Sequence, residues 1–314
     1  MSAMSVGKKR EKQTQFVLDT LDYVKRFAGE TILIKLGGSA LQDAALVVSI
    51  CKDLALIRSI GISLVLVHGG GPAIQKELDL HNITWNFIDG QRVTTTPMMD
   101  IVEMVLNGTV NRRIVRTLNH AGVAAVGVSG TDARILQCSP AREELGQVGK
   151  IDRVDVSFIR TILNTQTDEP MDEASPAKGM GFIPVITPVG FGSDGKAMNV
   201  NADWAASHIA SALNLNKIIY LTDQDGILDG SNELISEVDP AGLANLIESG
   251  VVKGGMLAKT QTILYALKNG VKNVHILNAK EPHCLIEELF TSRGVGTLCS
   301  NVMTTTSGAV HANA

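Results

Sequence analysis

The stretch Ile32-Leu33-Ile34-Lys35-Leu36-Gly37-Gly38-Ser39 decides the fold that we predict from the sequence. Its apolar run, interrupted only by Lys35, is typical of a strand that is buried on both faces. The glycines that follow leave a backbone with bare N–H groups, which an anion can approach closely. The stretch therefore predicts a buried strand that carries a lysine into an anion-binding loop.

A second predicted strand, Leu64-Val65-Leu66-Val67, runs into His68-Gly69-Gly70-Gly71-Pro72. Pro72 suits the first turn of a helix, whose positive end would face the loop. The carboxyl ends of parallel strands line one crevice, so both loops face one site if their strands are neighbours. Glycines that merely turn the chain remain the alternative for either loop alone. Neither loop contains a Walker A or a Gly-x-Gly-x-x-Gly pattern, so a phosphate site here is of another kind.

Short β-rich runs alternate with segments of helical spacing, as in a mostly parallel sheet covered by helices. We predict strands over residues 31–36, 63–67, 123–128, 182–186, 217–221 and 273–277. We predict helices over residues 43–59, 98–120, 202–213, 255–268 and 282–292, with an amphipathic helix over 13–27 before the first strand. The expected fold is α/β, a three-layer αβα sandwich with an N-terminal helix.

Composition narrows the class of protein. With 314 residues, 45% of them apolar, and 30 glycines, the chain supports one large α/β domain or two lobes. A net charge of −4 gives no general attraction to nucleic acid or anionic membranes. The start lacks an apolar signal region and no apolar run reaches the roughly 18 residues of a membrane helix. We therefore expect a cytoplasmic protein with a small-molecule substrate. We expect reduced thiols at Cys51, Cys138, Cys284 and Cys299.

Five motifs together carry a resemblance to a known family. They are Lys35-Leu36-Gly37-Gly38-Ser39, His68-Gly69-Gly70-Gly71-Pro72, Gly90-Gln91-Arg92-Val93-Thr94, Asn199-Val200-Asn201-Ala202-Asp203 and Gly254-Gly255-Met256-Leu257-Ala258-Lys259. In this order they resemble the amino acid kinase family over about residues 16–300, most of all its members that phosphorylate N-acetyl-L-glutamate. The segment 164–181 departs from the family because it is longer than the usual connection.

The resemblance implies a division of the chain and a reaction. It implies an extension at 1–28, a lobe for the acylated amino acid at 29–190, a nucleotide lobe at 191–300 and a flexible tail at 301–314. The implied reaction moves the γ-phosphoryl group of ATP, which carries Mg²⁺, to the side-chain carboxylate of N-acetyl-L-glutamate. Such a transfer depends mainly on alignment and charge neutralisation. We expect no dedicated protein site for the metal.

The same resemblance assigns roles to residues. Lys35 contacts the transferring phosphoryl group, Lys259 neutralises charge on the leaving side, and Asp203 holds both ammonium groups in place. Surface lysines and an ordinary helix-capping acid are the alternatives. The implied substrate-binding residues are Gly70, Gly71, Arg92 and Asn199, with the planar fork of Arg92 on the α-carboxylate. The implied ATP-binding residues are Gly37, Gly38, Thr222, Asp223 and Gly254.

Two residues near these motifs have structural alternatives. Asn201 is either a substrate contact or a turn residue, and His68 is expected to be a packed loop histidine rather than a proton-transfer group.

The N-terminal helix and residues 283–297 resemble the arginine-inhibited members of the family, which assemble through that helix. This implies a homohexamer and an arginine site with Glu288, Gly294 and Gly296. A helix that only covers its own core is the alternative. Two other functions stay open: a related kinase with carbamate, aspartate, glutamate or a nucleotide as acceptor, and a non-enzymatic sensor of arginine or a partner on the same fold.

Overall fold

The computed structural model describes residues 3–88, 91–165, 181–291 and 294–301. Its α-helices are α1 (Ala3–Phe27), α2 (Ala44–Ser59), α3 (Gly71–Leu80), α4 (Thr96–Glu103), α5 (Arg112–His120), α6 (Ser157–Asn164), α7 (Ala202–Leu213), α8 (Pro240–Glu248), α9 (Gly254–Lys268) and α10 (Cys284–Phe290). Its strands are β1 (Thr31–Leu36), β2 (Ser63–His68), β3 (Phe87–Ile88), β4 (Gln91–Arg92), β5 (Ala125–Ser129), β6 (Leu136–Pro140), β7 (Gly149–Val154), β8 (Ile183–Thr187), β9 (Val189–Gly192), β10 (Ala197–Asn199), β11 (Lys217–Thr222), β12 (Glu237–Val238), β13 (Asn273–Asn278) and β14 (Thr297–Ser300).

The central sheet has eight strands in the order β12-β14-β13-β11-β1-β2-β8-β5. Pairing is parallel from β13 through to β5, and β14 runs antiparallel to β13. Strand β1 lies between β11 and β2, so that Lys35 is in register with Tyr220 and Val67. The two glycine loops therefore leave neighbouring strands at the same edge of the sheet.

Both faces of the sheet are covered by helices. Ile32 and Ile34 of β1 belong to a core shared with α2, whereas Leu33 belongs to a core on the other face shared with α7 and α9. Successive side chains of a strand point to opposite faces, so a continuous apolar run fills both cores. The predicted three-layer αβα sandwich is confirmed.

The predicted elements of the sandwich are confirmed, with small shifts at their ends. All six predicted strands and the five predicted core helices correspond to elements of the structure. The predicted helix over 98–120 is continuous in space but changes type, because residues Met104–Asn111 form a π-helix between α4 and α5. The N-terminal helix α1 begins at Ala3, ten residues before its predicted start.

Some sequence predictions concern residues that lie outside the described ranges. Most of the long connection 164–181 and most of the tail 301–314 lie there. Within the described ranges, no helix combines the length and apolar character needed to cross a membrane. The four cysteines are buried free thiols.

A smaller sheet and a hairpin complete the fold, and the sequence did not predict either. The small sheet has the order β10-β9-β6-β7, and the hairpin pairs β3 with β4. Isolated bridges join Thr94 to Gly146 and Val148 to Asn199, which ties the segment after β4 to the small sheet. These two units position Arg92 and Asn199.

Candidate active site

One carboxylate binds two lysines at the carboxyl edge of the central sheet. Lys35 Nζ lies 2.7 Å from Oδ1 of Asp203, and Lys259 Nζ donates a hydrogen bond of 2.8 Å to Oδ2. The three side chains are only 10–15% exposed. Burial of charged groups is costly unless they are paired. Removal of Asp203 would therefore leave two buried ammonium groups without a counter-ion.

Three separate elements bring these groups together. Lys35 is near the end of β1, and Lys259 is in the second turn of α9. Helix α7 begins after Asn201, whose side chain accepts hydrogen bonds from the N–H groups of Asp203 (2.8 Å) and Trp204 (3.2 Å). Asn201 is therefore the N-cap, which leaves the Asp203 carboxylate free to bind the lysines. The alternative that Asp203 is the capping acid is wrong.

The electrostatics of this trio favour an anionic ligand. Burial raises the pKa of Asp203, but the ammonium groups of Lys35 and Lys259 outweigh it and hold that pKa well below its ordinary value. Burial also lowers the pKa of Lys35, an effect that Asp203 opposes and Lys259 reinforces. Two ammonium groups against one carboxylate leave a net positive charge in a nearly dry place, which a phosphate group would neutralise.

A buried network of hydroxyl groups lies next to the trio. The Tyr220 hydroxyl lies 2.7 Å from Ser207 Oγ, and Ser207 Oγ donates to the carbonyl of Thr262. The ring of Tyr220 lies 5.2 Å from Lys259 Nζ, measured to its centroid. Burial raises the pKa of Tyr220, so the phenol is neutral. This network could not be predicted from the sequence, because its members come from three elements that only the fold brings together.

The two glycine loops touch each other. A Cβ on Gly38 would lie 3.2 Å from the nitrogen of Gly71 and 3.3 Å from that of Gly70. The N–H groups of Gly38 and Gly70 donate no hydrogen bond within the described part of the chain, whereas the N–H of Gly37 donates to the carbonyl of Leu221 at 2.8 Å. Gly38 and Gly70 can thus offer N–H groups to an anion, and Gly37 instead permits close packing, since a Cβ there would lie 2.8 Å from the Leu221 oxygen.

His68, before the second loop, is a structural residue. It is fully buried, its Nδ1 lies 3.0 Å from the carbonyl oxygen of Gly69, and its Nε2 lies 3.2 Å from Asn111 Nδ2. Burial lowers its pKa to about 4, so the ring is neutral with the proton on Nδ1. Asn111 belongs to the π-helix, and Leu106 of that helix packs against Gly70. The packed role predicted for His68 agrees with this geometry.

A cleft of about 310 Å³ lies beside the trio. Of the predicted site residues, those that line it are Lys35, Gly38, Gly70, Gly71, Arg92 and Asn199. Asn199 donates to Thr94 Oγ1 at 3.0 Å, and Thr94 Oγ1 donates to the carbonyl of Arg92 at 2.9 Å. The amide of Asn199 and the backbone of Arg92 are thereby fixed relative to each other.

The predicted nucleotide residues lie at the same edge of the sheet. Thr222 ends β11, the neighbour of β1, and its carbonyl accepts the N–H of Ala279 at 2.7 Å. Asp223 and Gly254 are exposed, and Gly254 begins the helix that carries Lys259. Within the described residues, these three lie outside the lining of the cleft.

Comparison with known proteins decides the family. The sequence profile of the amino acid kinase family matches residues 30–278. The chain belongs to the amino acid kinase family. As a member of this family, the chain is a kinase.

The similar proteins extend over nearly the whole chain. Acetylglutamate kinase of Ruthia magnifica subsp. Calyptogena magnifica is 40% identical over 91% of this chain and 94% of its own length. Acetylglutamate kinase of Campylobacter hominis is 37% identical over 94% of this chain and 99% of its own length.

Solved structures show the same fold at lower identity. N-acetylglutamate synthase from Neisseria gonorrhoeae, complexed with coenzyme A and N-acetyl-glutamate, superposes with a TM-score of 0.78 at 24% identity. That match covers 92% of this chain and 64% of the synthase, so the chain spans less than two thirds of it. Carbamate kinase from Giardia lamblia bound to AMP-PNP superposes with a TM-score of 0.62 at 14% identity, and the match covers 88% of this chain and 99% of that kinase.

A second cavity of about 410 Å³ in this amino acid kinase lies between α1 and the amino-terminal ends of β1, β11 and β13, at the opposite edge of the sheet from the trio. Glu288 lines it together with Tyr23, Phe27 and Lys217. The Glu288 carboxylate lies 2.5 Å from His275 Nδ1 and accepts the N–H of Val295 at 2.9 Å.

The two glycines predicted with Glu288 have different surroundings. A Cβ on Gly294 would lie 3.5 Å from the Glu288 carboxylate. A Cβ on Gly296 would lie 2.0 Å from the carbonyl of Ile276, so only glycine fits there. Gly294 therefore lies beside a residue of the cavity lining, and within the described part of the chain neither glycine belongs to that lining.

The substitution Asp203→Asn tests the charge balance of the trio. We expect it to lower the free energy of unfolding at pH 7 by about 3–5 kcal/mol, because it leaves two buried ammonium groups without their counter-ion. Since the folded pKa of Asp203 lies below its ordinary value of 3.8, the stabilisation is fully present above the unfolded pKa. It is lost as the pH falls through the folded pKa. Urea unfolding at a series of pH values measures the difference.

The control is Asp194→Asn, which removes an exposed carboxylate 2.9 Å from Lys196 and is expected to leave stability close to that of the wild type. A wild-type-like stability of Asp203→Asn at pH 7, or a loss that persists unchanged in acid, would contradict the paired-charge interpretation.

Proposed function

We propose that this chain transfers the γ-phosphoryl group of ATP to the side-chain carboxylate of N-acetyl-L-glutamate, a step of arginine biosynthesis. The observation that carries the proposal is the Asp203 carboxylate bound by both Lys35 and Lys259 beside a cleft that contains Arg92. The naming of relatives with 37–40% identity as acetylglutamate kinases supports the choice of acceptor.

The proposed reaction is a direct displacement. An oxygen of the acceptor carboxylate attacks the γ-phosphorus, the bond from that phosphorus to the bridging oxygen breaks, and ADP leaves. No proton moves, because the attacking carboxylate is already ionised. Both reactants are anions, so the chain lowers the barrier by alignment and by positive charge.

Each residue of the trio has its own part in this step. Lys35 lines the cleft and neutralises the transferring phosphoryl group, while Lys259 stabilises the charge that develops on the leaving ADP. Asp203 acts on neither reactant; it holds both ammonium groups before the substrates bind. The free N–H groups of Gly38 and Gly70 add donors for the phosphoryl oxygens.

The acceptor and the nucleotide bind on different sides of this centre in the proposal. Arg92 and Asn199 hold the acceptor in the lobe formed by residues 29–190 and the start of the next. Thr222, Asp223 and Gly254 hold the nucleotide in the lobe formed by residues 191–300, and the N-terminus of α9 faces its phosphates.

In the proposal, Mg²⁺ enters the site bound to the phosphates of ATP. Both oxygens of Asp203 are engaged by lysines, and the described residues contain no group of three or more His, Cys, Asp or Glu side chains able to hold a metal ion. The phosphate oxygens themselves are the ligands that Mg²⁺ prefers.

The acceptor is tested by measuring ADP production with MgATP and N-acetyl-L-glutamate, glutamate, aspartate or carbamate. We expect turnover with N-acetyl-L-glutamate, and we expect Lys259→Met to lower kcat about 10²–10³-fold because it removes a charge that acts in the transition state. Lys268→Met, at the exposed end of the same helix, is the matched control and keeps wild-type kcat.

Turnover with another acceptor alone would replace the proposed substrate within the same family. No turnover with any acceptor would favour the alternative of a sensor without catalysis.

We also propose that arginine inhibits the enzyme through the second cavity and that α1 joins subunits into a homohexamer. Tyr23 and Phe27 of α1 face the cavity, and Glu288 offers a carboxylate for a guanidinium group. On the outer side of α1, Val17, Leu18 and Leu21 are 49–54% exposed, an apolar surface suited to packing against another helix.

Deletion of residues 1–27 is expected to reduce the oligomer to a smaller species and to abolish arginine inhibition. Glu288→Gln is expected to raise the arginine concentration for half inhibition about tenfold or more, since a charged hydrogen bond is lost. The control is Glu287→Gln, at the exposed neighbouring residue, which is expected to leave inhibition unchanged. Light scattering and ADP assays with added arginine measure both effects. A deletion that alters neither oligomer size nor inhibition would refute this regulatory proposal.

A further inference from the structure

Two aromatic rings hold the guanidinium group of Arg92. The Cζ of Arg92 lies 4.7 Å from the ring centroid of Trp85 and 4.8 Å from that of Phe87. The two rings meet edge to face, with centroids 5.7 Å apart and an angle of 88°. We call Trp85 and Phe87 the aromatic clamp.

The clamp is anchored to the elements that line the cleft beside the trio. Phe87 pairs with Arg92 across the hairpin β3-β4 and lines the cleft. Trp85 donates from Nε1 to Oδ1 of Asp79 at 3.0 Å, and Asp79 belongs to α3, which starts at Gly71 of the second glycine loop. The ring of Trp85 is thus connected to the helix that follows the second glycine loop.

The exposure of Phe87 argues for a role other than core packing. Its side chain is 50% exposed although it is large and apolar. A phenylalanine that served only stability would gain little there, because much of its apolar area stays in water. Its contact with Arg92 gives this half-exposed ring a function in the cleft.

Aromatic partners leave the hydrogen-bonding edge of a guanidinium available. A carboxylate neighbour would accept hydrogen bonds from the same N–H groups that a substrate carboxylate needs, whereas an aromatic ring attracts the cation without supplying an oxygen acceptor. Within the described part of the chain, Nη1 of Arg92 is buried and has no hydrogen-bond partner. A buried donor without a partner is costly, so this geometry is suited to a ligand that supplies two parallel oxygens.

We propose that Trp85 and Phe87 are positioning residues that fix Arg92 for the α-carboxylate of the acceptor, with its Nη1 free of hydrogen-bond partners among the described residues. This inference rests on the proposed function and deepens it: the clamp makes the α-carboxylate a required feature of the acceptor. The clamp acts through Arg92 and touches no reacting atom.

The test compares Phe87→Leu and Trp85→Leu with the conservative variants Phe87→Tyr and Trp85→Phe. We expect both leucine variants to raise KM for N-acetyl-L-glutamate about tenfold, with kcat and KM for ATP within about twofold of wild type. Phe87→Tyr restores KM, whereas Trp85→Phe keeps a ring but loses the Nε1 donor to Asp79 and restores KM only in part. Phe158→Leu, which removes a ring 40% exposed on α6, is the matched control and leaves all three constants unchanged.

A second measurement identifies the group that the clamp serves. The inhibition constant of 4-acetamidobutanoate, which is N-acetylglutamate without its α-carboxylate, is expected to be the same for wild type and for both leucine variants. Thermal unfolding checks that the variants fold, and Phe87→Leu carries the test alone if Trp85→Leu is unstable.

Each contrary result points to a different failure. A fall in kcat without a rise in KM, equal weakening of 4-acetamidobutanoate, or no recovery with Phe87→Tyr would overturn the clamp proposal. Wild-type enzyme without turnover of N-acetyl-L-glutamate would overturn the proposed function itself.

Discussion

The ion pairs of Asp203 with Lys35 and Lys259 are the interaction on which the rest of the site depends. They tie the central strand β1 to the first turn of α7 and the second turn of α9, two helices on one face of the sheet. The trio keeps a net positive charge in a buried place, which is unfavourable until an anion arrives. The charge of the trio therefore favours an anionic ligand, and the groups that would bind it are in place before binding.

The topology explains why two anionic reactants can meet there. Strands β1 and β2 are parallel neighbours, so their two glycine loops reach the same edge and touch each other. In the proposed reaction, the lysines bind the phosphoryl group from one direction. Arg92 and Asn199, which lie on the hairpin and the small sheet, line the cleft proposed for the acceptor. Separate positive groups thus offset the mutual repulsion of two anions that must come into contact.

Much of the sandwich could be predicted, because strands that are buried on both faces are continuous apolar runs with glycines at their ends. The small sheet could not, since β6 ends in Pro140 and β9 contains Gly190 and Gly192, residues that read as loop. The three residues of the trio were predicted from the resemblance to the amino acid kinase family. Two details of the site were visible only in the fold. Asn201 is the N-cap of α7, and the N–H of Gly37 already donates to the carbonyl of Leu221. Contacts between distant segments leave no local pattern.

The most direct test of this account is a crystal structure with MgADP, aluminium fluoride as a mimic of the transferring phosphoryl group, and N-acetyl-L-glutamate. We expect Nζ of Lys35 and Nζ of Lys259 within about 3 Å of the fluoride or the leaving oxygen, with both lysines still bound to Asp203. We also expect the acceptor carboxylate in line with the aluminium. A complex in which either ammonium group turns away from the transferring group, or in which Asp203 ligates the metal instead, would contradict the account.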